Sequence, residues 1–312
     1  MGRRISWWQV PEHVRSAVEA SLGADVVEAV TQEGGYSPGA AVRVRLASGG
    51  HAFVKVLGVD LHSTSVGLYR QEAETMPHLP AGLPVPRLLD VYDDGDWVAI
   101  VYEDVEGRHP EIPWRSDELD RVAGAIADLG AALDPSPWPA APIFADVNAG
   151  FIQAWQAFAM SPPPDLDSSV RRMLDRLAAD EVDLAEVVRG EALLHNDIRA
   201  DNVILTPDGR VVFLDWGMPC KGAVWQDLVM FAFTAEFQGG ADADLLVSSH
   251  PLTRDIAESS IDVVVLAGYA AYRLLAQRPV DPLMPDRNAY HIACAEASLR
   301  WLQRRVAGRT NL

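Results

Sequence analysis

The sequence contains little cysteine and little positive charge. Cys220 and Cys294 are the two cysteines among its 312 residues, which excludes a framework of disulfide bonds and suits a reducing compartment. Lysine and arginine number 26 against 44 aspartates and glutamates, so the formal net charge is −18. Because proteins that bind along nucleic acid carry a basic surface, we expect no nucleic-acid partner.

Lysine is rarer still. The 26 cations comprise 24 arginines and two lysines, Lys55 and Lys221. A bias toward GC-rich codons replaces lysine by arginine wherever any surface cation suffices, and it accounts for most of the arginines. Under such a bias, a lysine that remains is a candidate for a specific role.

The sequence also lacks a long uninterrupted hydrophobic run. Residues 263–276 are the most apolar stretch, but Arg273 interrupts it, Asp262 precedes it, and it is shorter than a membrane span, so we expect a buried helix there. The N-terminal residues show no apolar stretch of signal-peptide length. A hydrophobic content of 49% excludes a disordered chain. We expect a cytoplasmic protein, monomeric or homodimeric, with no membrane partner.

Strand patterns are concentrated in the first hundred residues. Residues 42–46 alternate apolar and polar side chains, and a Ser-Gly-Gly turn then leads into the apolar segment at residues 52–56, which predicts a hairpin. Residues 88–92 and 97–102 predict a second strand pair around the turn Asp-Asp-Gly-Asp. The N-terminal part of the chain is therefore expected to be rich in β-structure.

Helical patterns dominate the rest of the chain. Helices are predicted there at residues 117–133, 147–160 and 167–188, with prolines between several of them, and two more are predicted at residues 11–22 and 66–76 of the N-terminal part. The fold class predicted is α+β. We expect a small β-rich N-terminal lobe at residues 1–103, a hinge at 104–107 and a larger helical C-terminal lobe at 108–312.

The most specific motif has the pattern H-x-D-x4-N-x12-D and comprises His195, Asp197, Asn202 and Asp215. A hairpin with its turn centred at residues 208–209 sets Asn202 opposite Asp215, within one residue of register. An amide oxygen beside a carboxylate suits Mg²⁺, which prefers oxygen ligands. Asp197, on the loop before the hairpin, is placed to accept a proton from an attacking hydroxyl.

This segment resembles the catalytic and metal-binding motifs of the aminoglycoside phosphotransferase family, small-molecule kinases that share the bilobal protein-kinase-like fold. The resemblance implies that Asp197 is the general base and that Asn202 and Asp215 bind metal. It also implies that His195 is mainly structural and holds the loop. The family usually has glycine where Asn196 stands and leucine two residues later, and neither departure removes the catalytic carboxylate.

The same fold requires a phosphate-covering loop, a strand lysine and a helix carboxylate upstream, in that order. The glycine cluster QEGGYSPG lies where the loop belongs, and Gly35 and Ser37 are its candidate phosphate contacts, although a glycine cluster alone indicates only a turn. Lys55 lies on the second strand of the first hairpin, where an unpaired ammonium would be costly. Glu72 is its candidate partner, and Glu74 is a competitor on another face of the helix.

Two further segments resemble parts of the family. The sequence IVYEDVEG is similar to the hinge between lobes, which implies that Glu103 and Val105 make backbone contacts to the purine and that Tyr102 borders the pocket. A plain interdomain linker is the alternative interpretation, and both can hold at once. The sequence WQD at residues 225–227 resembles the aromatic-x-Asp that opens a helix, and Asp227 is assigned a structural role there.

The resemblance implies Mg²⁺-dependent transfer of the γ-phosphate of ATP or GTP to a hydroxyl of a small molecule. Lys55 would hold the α- and β-phosphates, and Glu72 would hold Lys55. Asn202 and Asp215 would bind metal, while Asp197 orients and deprotonates the acceptor hydroxyl. The second lysine, which follows the DWG sequence, is expected to be a solvated loop residue.

The acceptor stays open. Residues 104–312 contain 18 cations and 31 acids, against 8 and 13 before them, which favours a cationic acceptor such as an aminoglycoside, or another antibiotic, and a role in antibiotic resistance. An acidic surface that maintains solubility explains the same charge. Candidate acceptor contacts are Asp201, Glu236, Asp242 and Asp244. The alternatives are a kinase of a metabolic alcohol (a sugar, choline-like compound or nucleoside) and a nucleotide-binding regulator without turnover.

Overall fold

The computed structural model describes residues 2–35, 37–180 and 182–310, so Tyr36 of the predicted glycine loop lies outside the described residues. The chain separates into two units. Unit 1 comprises Met1–His109, Asp201–Met218 and Val280–Arg287, and unit 2 comprises Pro110–Ala200, Pro219–Pro279 and Asn288–Leu312. Two segments of unit 1 therefore come from the part of the chain that follows the predicted hinge, and the division at residues 103–107 stays a prediction.

Unit 1 is built on one antiparallel sheet. Its strands are β1 (Val26–Thr31), β2 (Ala40–Leu46), β3 (His51–Gly58), β4 (Leu88–Asp93) and β5 (Trp97–Glu103). Their order across the sheet is β1-β2-β3-β5-β4. Both predicted strand pairs are confirmed. The sequence prediction omits β1 because Val26 is its one buried residue, so the strand has no apolar alternation to detect.

The core of unit 1 joins this sheet to the N-terminal helix α1 (Glu12–Leu22). Trp7, Val14 and Val18 are fully buried and share one cluster with valines of β2, β3 and β5. Each fully buried valine stabilises the fold by about 1.5 kcal/mol or more. Gly23 ends the helix at φ 74°, the left-handed conformation typical of a helix C-terminus.

The helix α2 (Val59–Thr75) follows β3 and carries a kink at His62, where φ is −163° and ψ is 93°. Val66, Tyr69 and Glu72 are spaced three residues apart and form one buried face. The turn before the kink lies outside this apolar periodicity. The sequence therefore predicts the helix from residue 66 onward and misses its first part.

A second hairpin in unit 1 consists of β7 (Val203–Leu205) and β8 (Val211–Phe213). Beyond its last strand pair, the Leu214 N–H donates to the Asn202 carbonyl at 2.9 Å. Asn202 therefore lies opposite Leu214 and not opposite Asp215, one residue away from the predicted register.

The shift in register results from the loop of this hairpin. Thr206 N–H donates to the Arg210 carbonyl at 3.0 Å, which leaves residues 207–209 as a three-residue loop in place of the two-residue turn predicted. Gly209 has φ 89°, and a left-handed glycine at the end of the loop is typical of three-residue hairpin connections.

Unit 2 is mainly helical. Its helices are α3 (Ser116–Ala132), α4 (Phe144–Val147), α5 (Ala149–Met160), α6 (Ser168–Ala179), α7 (Leu184–Val187), α8 (Gln226–Gln238), α9 (Ala243–Ser249), α10 (Glu258–Ala276) and α11 (Arg287–Thr310), whose first residue belongs to unit 1. The strands β6 (Ala192–Leu194) and β9 (Cys220–Gly222) pair antiparallel. The helix predicted over residues 147–160 corresponds to α5, whereas the helix predicted over residues 167–188 divides into α6 and α7.

The helix α10 is the most apolar element of unit 2. Within the described part of the chain, it alone is long and apolar enough to cross a bilayer, with a mean hydropathy of 1.3. All eleven residues from Ile261 to Ala271 are buried in the protein. A core helix has this same composition, and the buried helix predicted at residues 263–276 is confirmed.

Candidate active site

Lys55 lies at the centre of a buried polar cluster in unit 1. It occupies β3 between Ala41 of β2 and Ile100 of β5, and it is 8% exposed. Its Nζ donates to Glu72 Oε2 on α2 and lies 4.8 Å from the centre of the Tyr69 ring. The central strands and α2 therefore hold one ammonium group against a carboxylate and an aromatic face.

Glu72, and not Glu74, is the residue that contacts Lys55. Glu72 is 2% exposed, and its second oxygen accepts a hydrogen bond from the Tyr102 hydroxyl at 2.9 Å. Glu74 is exposed to solvent. Because both carboxylate oxygens of Glu72 are engaged, its side chain is fixed in orientation and fixes the ammonium in turn.

Asp215 supplies a second carboxylate to the same ammonium, with Oδ1 2.9 Å from Lys55 Nζ. It follows β8 and has φ 64°, a left-handed conformation that few residues other than glycine adopt. The side chain of Asp215 is 37% exposed, whereas that of Glu72 is 2% exposed. The carboxylate of Glu72 is therefore buried, whereas that of Asp215 is also accessible to solvent.

The charges in this cluster stabilise one another. Burial alone would lower the pKa of Lys55, but the carboxylates of Asp215 and Glu72 outweigh it and raise that pKa above its ordinary value. Burial raises the pKa of Glu72, and the ammonium of Lys55 opposes the rise. Burial, reinforced by Glu72, holds the pKa of Tyr102 well above its ordinary value. Lys55 is therefore a stable cation at neutral pH.

Asn202 and Asp215 border the β7–β8 hairpin, one before its first strand and the other after its second. Asn202 is 4% exposed. An amide oxygen and a carboxylate are the hard oxygen donors that Mg²⁺ takes together with water and phosphate oxygens, so this donor set fits a divalent cation. Among residues 2–35, 37–180 and 182–310, no cluster of three or more His, Cys, Asp or Glu side chains could hold a metal ion.

The predicted phosphate loop is the segment between β1 and β2. Gly34 and Gly35 have φ 107° and 69°, and Ser37 follows them before the segment returns to the sheet. A Cβ atom built at Gly39 would lie 2.4 Å from the backbone oxygen of Val56, which leaves no room for a side chain. The backbone of this segment therefore approaches β3 closely, one residue beyond Lys55.

The predicted hinge residues follow the end of β5. The Glu103 N–H donates to the Arg87 carbonyl at 3.0 Å, and the Val105 carbonyl accepts from the Arg43 guanidinium at 2.7 Å. In the described chain, the Val105 N–H donates to no backbone carbonyl. Hydrogen bonds therefore anchor the backbone at the Glu103 N–H and at the Val105 carbonyl. The Val105 N–H lies between these two groups.

In unit 2, the loop that carries Asp197 is anchored by a buried carboxylate. The N–H groups of His195 and Asn196 each donate to Asp227 at 2.8 Å, and the Asp197 N–H donates to His195 Nδ1 at 3.3 Å. Asp227 lies in the first turn of α8, where burial raises its pKa and His195 with the two N–H groups opposes the rise. The loop backbone is therefore fixed immediately before Asp197.

Asp197 forms an ion pair that the sequence analysis misses. One guanidinium nitrogen of Arg199 donates to both carboxylate oxygens, at 2.7 and 2.9 Å. The Arg199 side chain is 11% exposed and that of Asp197 is 27% exposed. The position of Arg199, two residues after Asp197 inside the motif, is the signal that could have identified it. The ion pair holds the carboxylate of Asp197 in one orientation.

Aromatic side chains of α10 and α11 lie near this ion pair. Burial holds the pKa values of Tyr272 and Tyr290 well above normal, and the charges of Asp197 and Arg199 act on both phenols. The ring of His291 lies 6.1 Å from that of Tyr272 and 5.8 Å from that of Tyr290. None of these rings is predicted from the sequence, because they follow Asp215, the last residue of the motif, by more than 50 residues.

Three of the acidic residues named as acceptor contacts are engaged inside unit 2. Glu236 accepts two hydrogen bonds from Arg304, at 2.9 and 2.7 Å, and is 7% exposed in its side chain. Asp242 caps the N-terminus of α9, and Asp244 forms an ion pair with Arg305. Much of the excess negative charge of these residues is therefore balanced within the fold.

The remaining acceptor candidate, Asp201, and the second lysine, Lys221, lie on short elements. Asp201 is in the 3-10 turn Ala200–Asn202 that leads into β7. Lys221 is on β9, not in a loop, and its Nζ lies 3.5 Å from a carboxylate oxygen of Glu191. Its side chain is 17% exposed, so Lys221 is not the fully solvated lysine predicted.

Sequence comparison identifies the family. The model of the APH phosphotransferase enzyme family matches residues 33–259, which is more than two thirds of the chain and includes Lys55, Asp197 and Asp215. No curated protein sequence matches the chain.

Solved structures with a similar fold are small-molecule kinases. Choline kinase LicA from Streptococcus pneumoniae is 15% identical, with a TM-score of 0.59 and coverage of 94% of this chain and 100% of that one. A thermostable mutant of aminoglycoside phosphotransferase APH(4)-Ia, in a ternary complex with ADP and hygromycin B, is 17% identical, with a TM-score of 0.56 and coverage of 92% and 98%. Amicoumacin kinase hAmiN, in complex with AMP-PNP, Ca²⁺ and Ami, is 12% identical, with a TM-score of 0.54 and coverage of 93% and 94%. The α+β protein-kinase-like fold is therefore confirmed.

Proposed function

The chain belongs to the phosphotransferase enzyme family, and on that premise we propose that it transfers the γ-phosphoryl group of ATP or GTP, in the presence of Mg²⁺, to a hydroxyl of a small molecule. The observation that carries this proposal is Lys55, a buried ammonium held by Glu72 and Asp215. An ammonium has three N–H donors, and these two carboxylates account for two of them. Among the described residues the third has no hydrogen-bond acceptor, and it is the donor that we assign to an anionic ligand.

On the donor side, Lys55 would bind the α- and β-phosphates, with Glu72 and Tyr102 keeping it in place. Gly35 and Ser37 would contribute to the loop over the phosphates. The N–H of Val105 and the carbonyl of Glu103 would contact the edge of the purine. Backbone groups of this kind can bind both ATP and GTP, so the preferred donor is identified by testing both nucleotides.

Asn202 and Asp215 are the residues that would hold Mg²⁺. When bound, the metal would neutralise charge on the transferred phosphate. Asp215 itself contacts Lys55, so this one carboxylate ties the phosphate-binding ammonium to the proposed metal pair.

On the acceptor side, Asp197 would orient the hydroxyl and accept its proton. Its carboxylate is prepared for this role because Arg199 holds both oxygens and Asp227 fixes the preceding backbone. Tyr272 and Tyr290, which lie near that ion pair, would line the space in which the acceptor binds.

We propose an antibiotic as the acceptor, and a metabolic alcohol as the alternative. Kinases of both kinds share the fold, as the hygromycin B and choline kinase structures show for those proteins. Because Glu236, Asp242 and Asp244 are engaged within unit 2, they offer less attraction to a polycationic acceptor than the net charge suggests. The cytoplasmic location, the oligomeric state and a role in resistance stay predictions.

The test is a nucleotide-consumption screen with ATP and GTP over a panel of aminoglycosides, other antibiotics, sugars, choline-like compounds and nucleosides. The proposal expects acceptor-dependent release of nucleoside diphosphate with at least one compound, followed by identification of the phosphorylated hydroxyl. Tight nucleotide binding without turnover on any acceptor would instead favour the regulator.

A further inference from the structure

Arg4, near the N-terminus, is a half-buried cation that has no acidic partner among the described residues. The chain carries far more acids than cations, and the majority of its arginines form ion pairs. In the part of the chain that the structure describes, no carboxylate lies within salt-bridge distance of Arg4. A guanidinium that is partly desolvated and unpaired is costly unless an anion completes its surroundings.

The guanidinium of Arg4 is attached to the glycine segment between β1 and β2. Its two terminal nitrogens donate to the backbone carbonyls of Ser37 and Gly34, each at 2.6 Å. Its Nε is buried and has no hydrogen-bond partner among the described residues. A guanidinium has five N–H donors, so these two bonds leave most of its capacity unused.

The backbone around Arg4 is bonded to the same segment. Gly2 N–H donates to the Gly35 carbonyl at 3.0 Å, and Ile5 N–H donates to the Gly39 carbonyl at 3.2 Å. Arg4 and Gly39 form a parallel bridge. Residues 2–5 thus run alongside the segment that would cover the phosphates, and they hold the guanidinium at a fixed position beside it.

Arg4 also lies within electrostatic reach of the Lys55 cluster. Burial raises the pKa of Tyr69, and two nearby cations, Lys55 and Arg4, oppose that rise. The ring of Tyr69 is the one that packs against the Lys55 ammonium. Two cations from distant parts of the sequence therefore approach the same buried phenol, one from β3 and the other from the N-terminal segment.

We propose that Arg4 is a second phosphate-binding cation of the donor site, with residues 2–5 acting as part of the glycine loop. The inference rests on the proposed function, because it assumes that a nucleoside triphosphate binds beside Lys55. Arg4 lies outside the residues that match the family model, which begin at residue 33. A planar guanidinium with unused donors suits phosphate oxygens, which it binds in a fork.

The experiment measures nucleotide affinity of the full-length protein by calorimetry in the presence of Mg²⁺, with ATP, GTP, their diphosphates and the two nucleosides as probes. The variants are Arg4→Gln, Arg4→Lys and the matched control Arg3→Gln, whose exposed side chain precedes Arg4 by one residue. Arg4→Gln is expected to raise the Kd of the preferred triphosphate roughly tenfold or more, the loss typical of a charged hydrogen bond. Arg3→Gln is expected to change it by less than about twofold.

A comparison of ligands with three, two and no phosphates distinguishes a direct phosphate contact of Arg4 from mere support of the loop. A phosphate contact predicts that Arg4→Gln weakens the triphosphate and the diphosphate but leaves nucleoside affinity unchanged, with Arg4→Lys intermediate. An equal loss for nucleoside and triphosphate would show that Arg4 only supports the loop, and unchanged triphosphate affinity would also overturn the proposal. Arg4→Lys keeps the charge and provides the same comparison if Arg4→Gln folds poorly. A wild-type protein that binds no nucleotide would refute the proposed function itself, a result visible before any variant is tested.

Discussion

Two residues other than glycine have a positive φ in the described chain, and both belong to the candidate site. Asn196 has φ 63° and Asp215 has φ 64°. Asparagine and aspartate tolerate the left-handed region better than most residues. Glycine, which the family usually has at this position, also adopts a positive φ without strain. Asparagine in its place therefore preserves the backbone conformation of the loop.

Substitutions at Asn196 test the importance of this backbone conformation. Asn196→Gly is expected to keep the free energy of unfolding within about 1 kcal/mol of wild type, because glycine adopts positive φ without strain. Asn196→Val is expected to lose about 1–3 kcal/mol, because a β-branched residue is strained there. Urea unfolding of both variants measures the difference. Equal stability of the two variants would show that the left-handed conformation is not required.

A second residue-scale prediction concerns the partner of Lys55. Glu72→Gln removes one carboxylate from a buried ion pair, and we expect a loss of about 1–3 kcal/mol of folding stability, with Asp215 left to compensate in part. Nucleotide affinity should fall in parallel. The matched control is Glu74→Gln, on the exposed side of the same helix, which should stay within about 0.5 kcal/mol of wild type. Similar losses in the two variants would contradict the assignment of Glu72.

At the scale of elements, the β7–β8 hairpin shows why a turn decides register. The Asp-Gly pair at residues 208–209 predicts a two-residue turn, but the loop also includes Pro207, and each pairing moves by one residue. The spacing of the sequence predicted that Asn202 and Asp215 lie at the same end of the hairpin. It did not determine which residue faces which, because one additional loop residue has no signature in the strand pattern.

Two glycine substitutions are expected to change folding stability in opposite directions, and they test the local backbone geometry of a loop and of a helix. Gly209→Ala should destabilise the fold by about 1 kcal/mol, because φ 89° strains any side chain. Gly124→Ala, on the exposed face of α3, should stabilise it by about 0.5–1 kcal/mol, because alanine is the better helix former and its Cβ meets no atom within 4 Å. Thermal and urea unfolding give both values. Stabilisation by Gly209→Ala would contradict the three-residue loop.

Other elements were predictable to the extent that one side of them is buried. Strands β2, β3 and β5 carry valines into the core and are recognised by these apolar residues and by the turn sequences between them. Strand β1 and the first turn of α2 are mostly exposed or lie beyond a kink, so neither has the apolar period on which such predictions depend.

At the scale of the whole molecule, motif residues were predictable and their supporting residues were not. Lys55, Glu72 and Asp215 are separated by up to 160 residues, yet the structure brings them into contact as the resemblance implies. Arg4 was not predicted, because an arginine among 24 carries no signal of its own in the sequence, and Arg199 was not predicted although it lies inside the motif. Their positions depend on loop geometry that only the folded chain provides.

The folded structure explains why lysine is retained at one of its two positions. Lys55 is fixed between two carboxylates, where a compact ammonium fits and a planar guanidinium would not. Lys221 forms a single contact with Glu191 at 3.5 Å, which an arginine could replace. One of the two lysines is therefore explained by its site, and the acidic surplus is partly balanced by arginines inside unit 2.

The central claim is that Asp197 acts as the base in phosphoryl transfer to a small-molecule hydroxyl. Its most direct test is the steady-state rate of acceptor phosphorylation, measured with the best acceptor from the screen, for the wild type, Asp197→Asn and the exposed control Asp120→Asn. We predict that Asp197→Asn lowers kcat by roughly 10²-fold to 10⁴-fold with little change in nucleotide affinity, while Asp120→Asn keeps the wild-type rate. Wild-type turnover in Asp197→Asn would contradict the account.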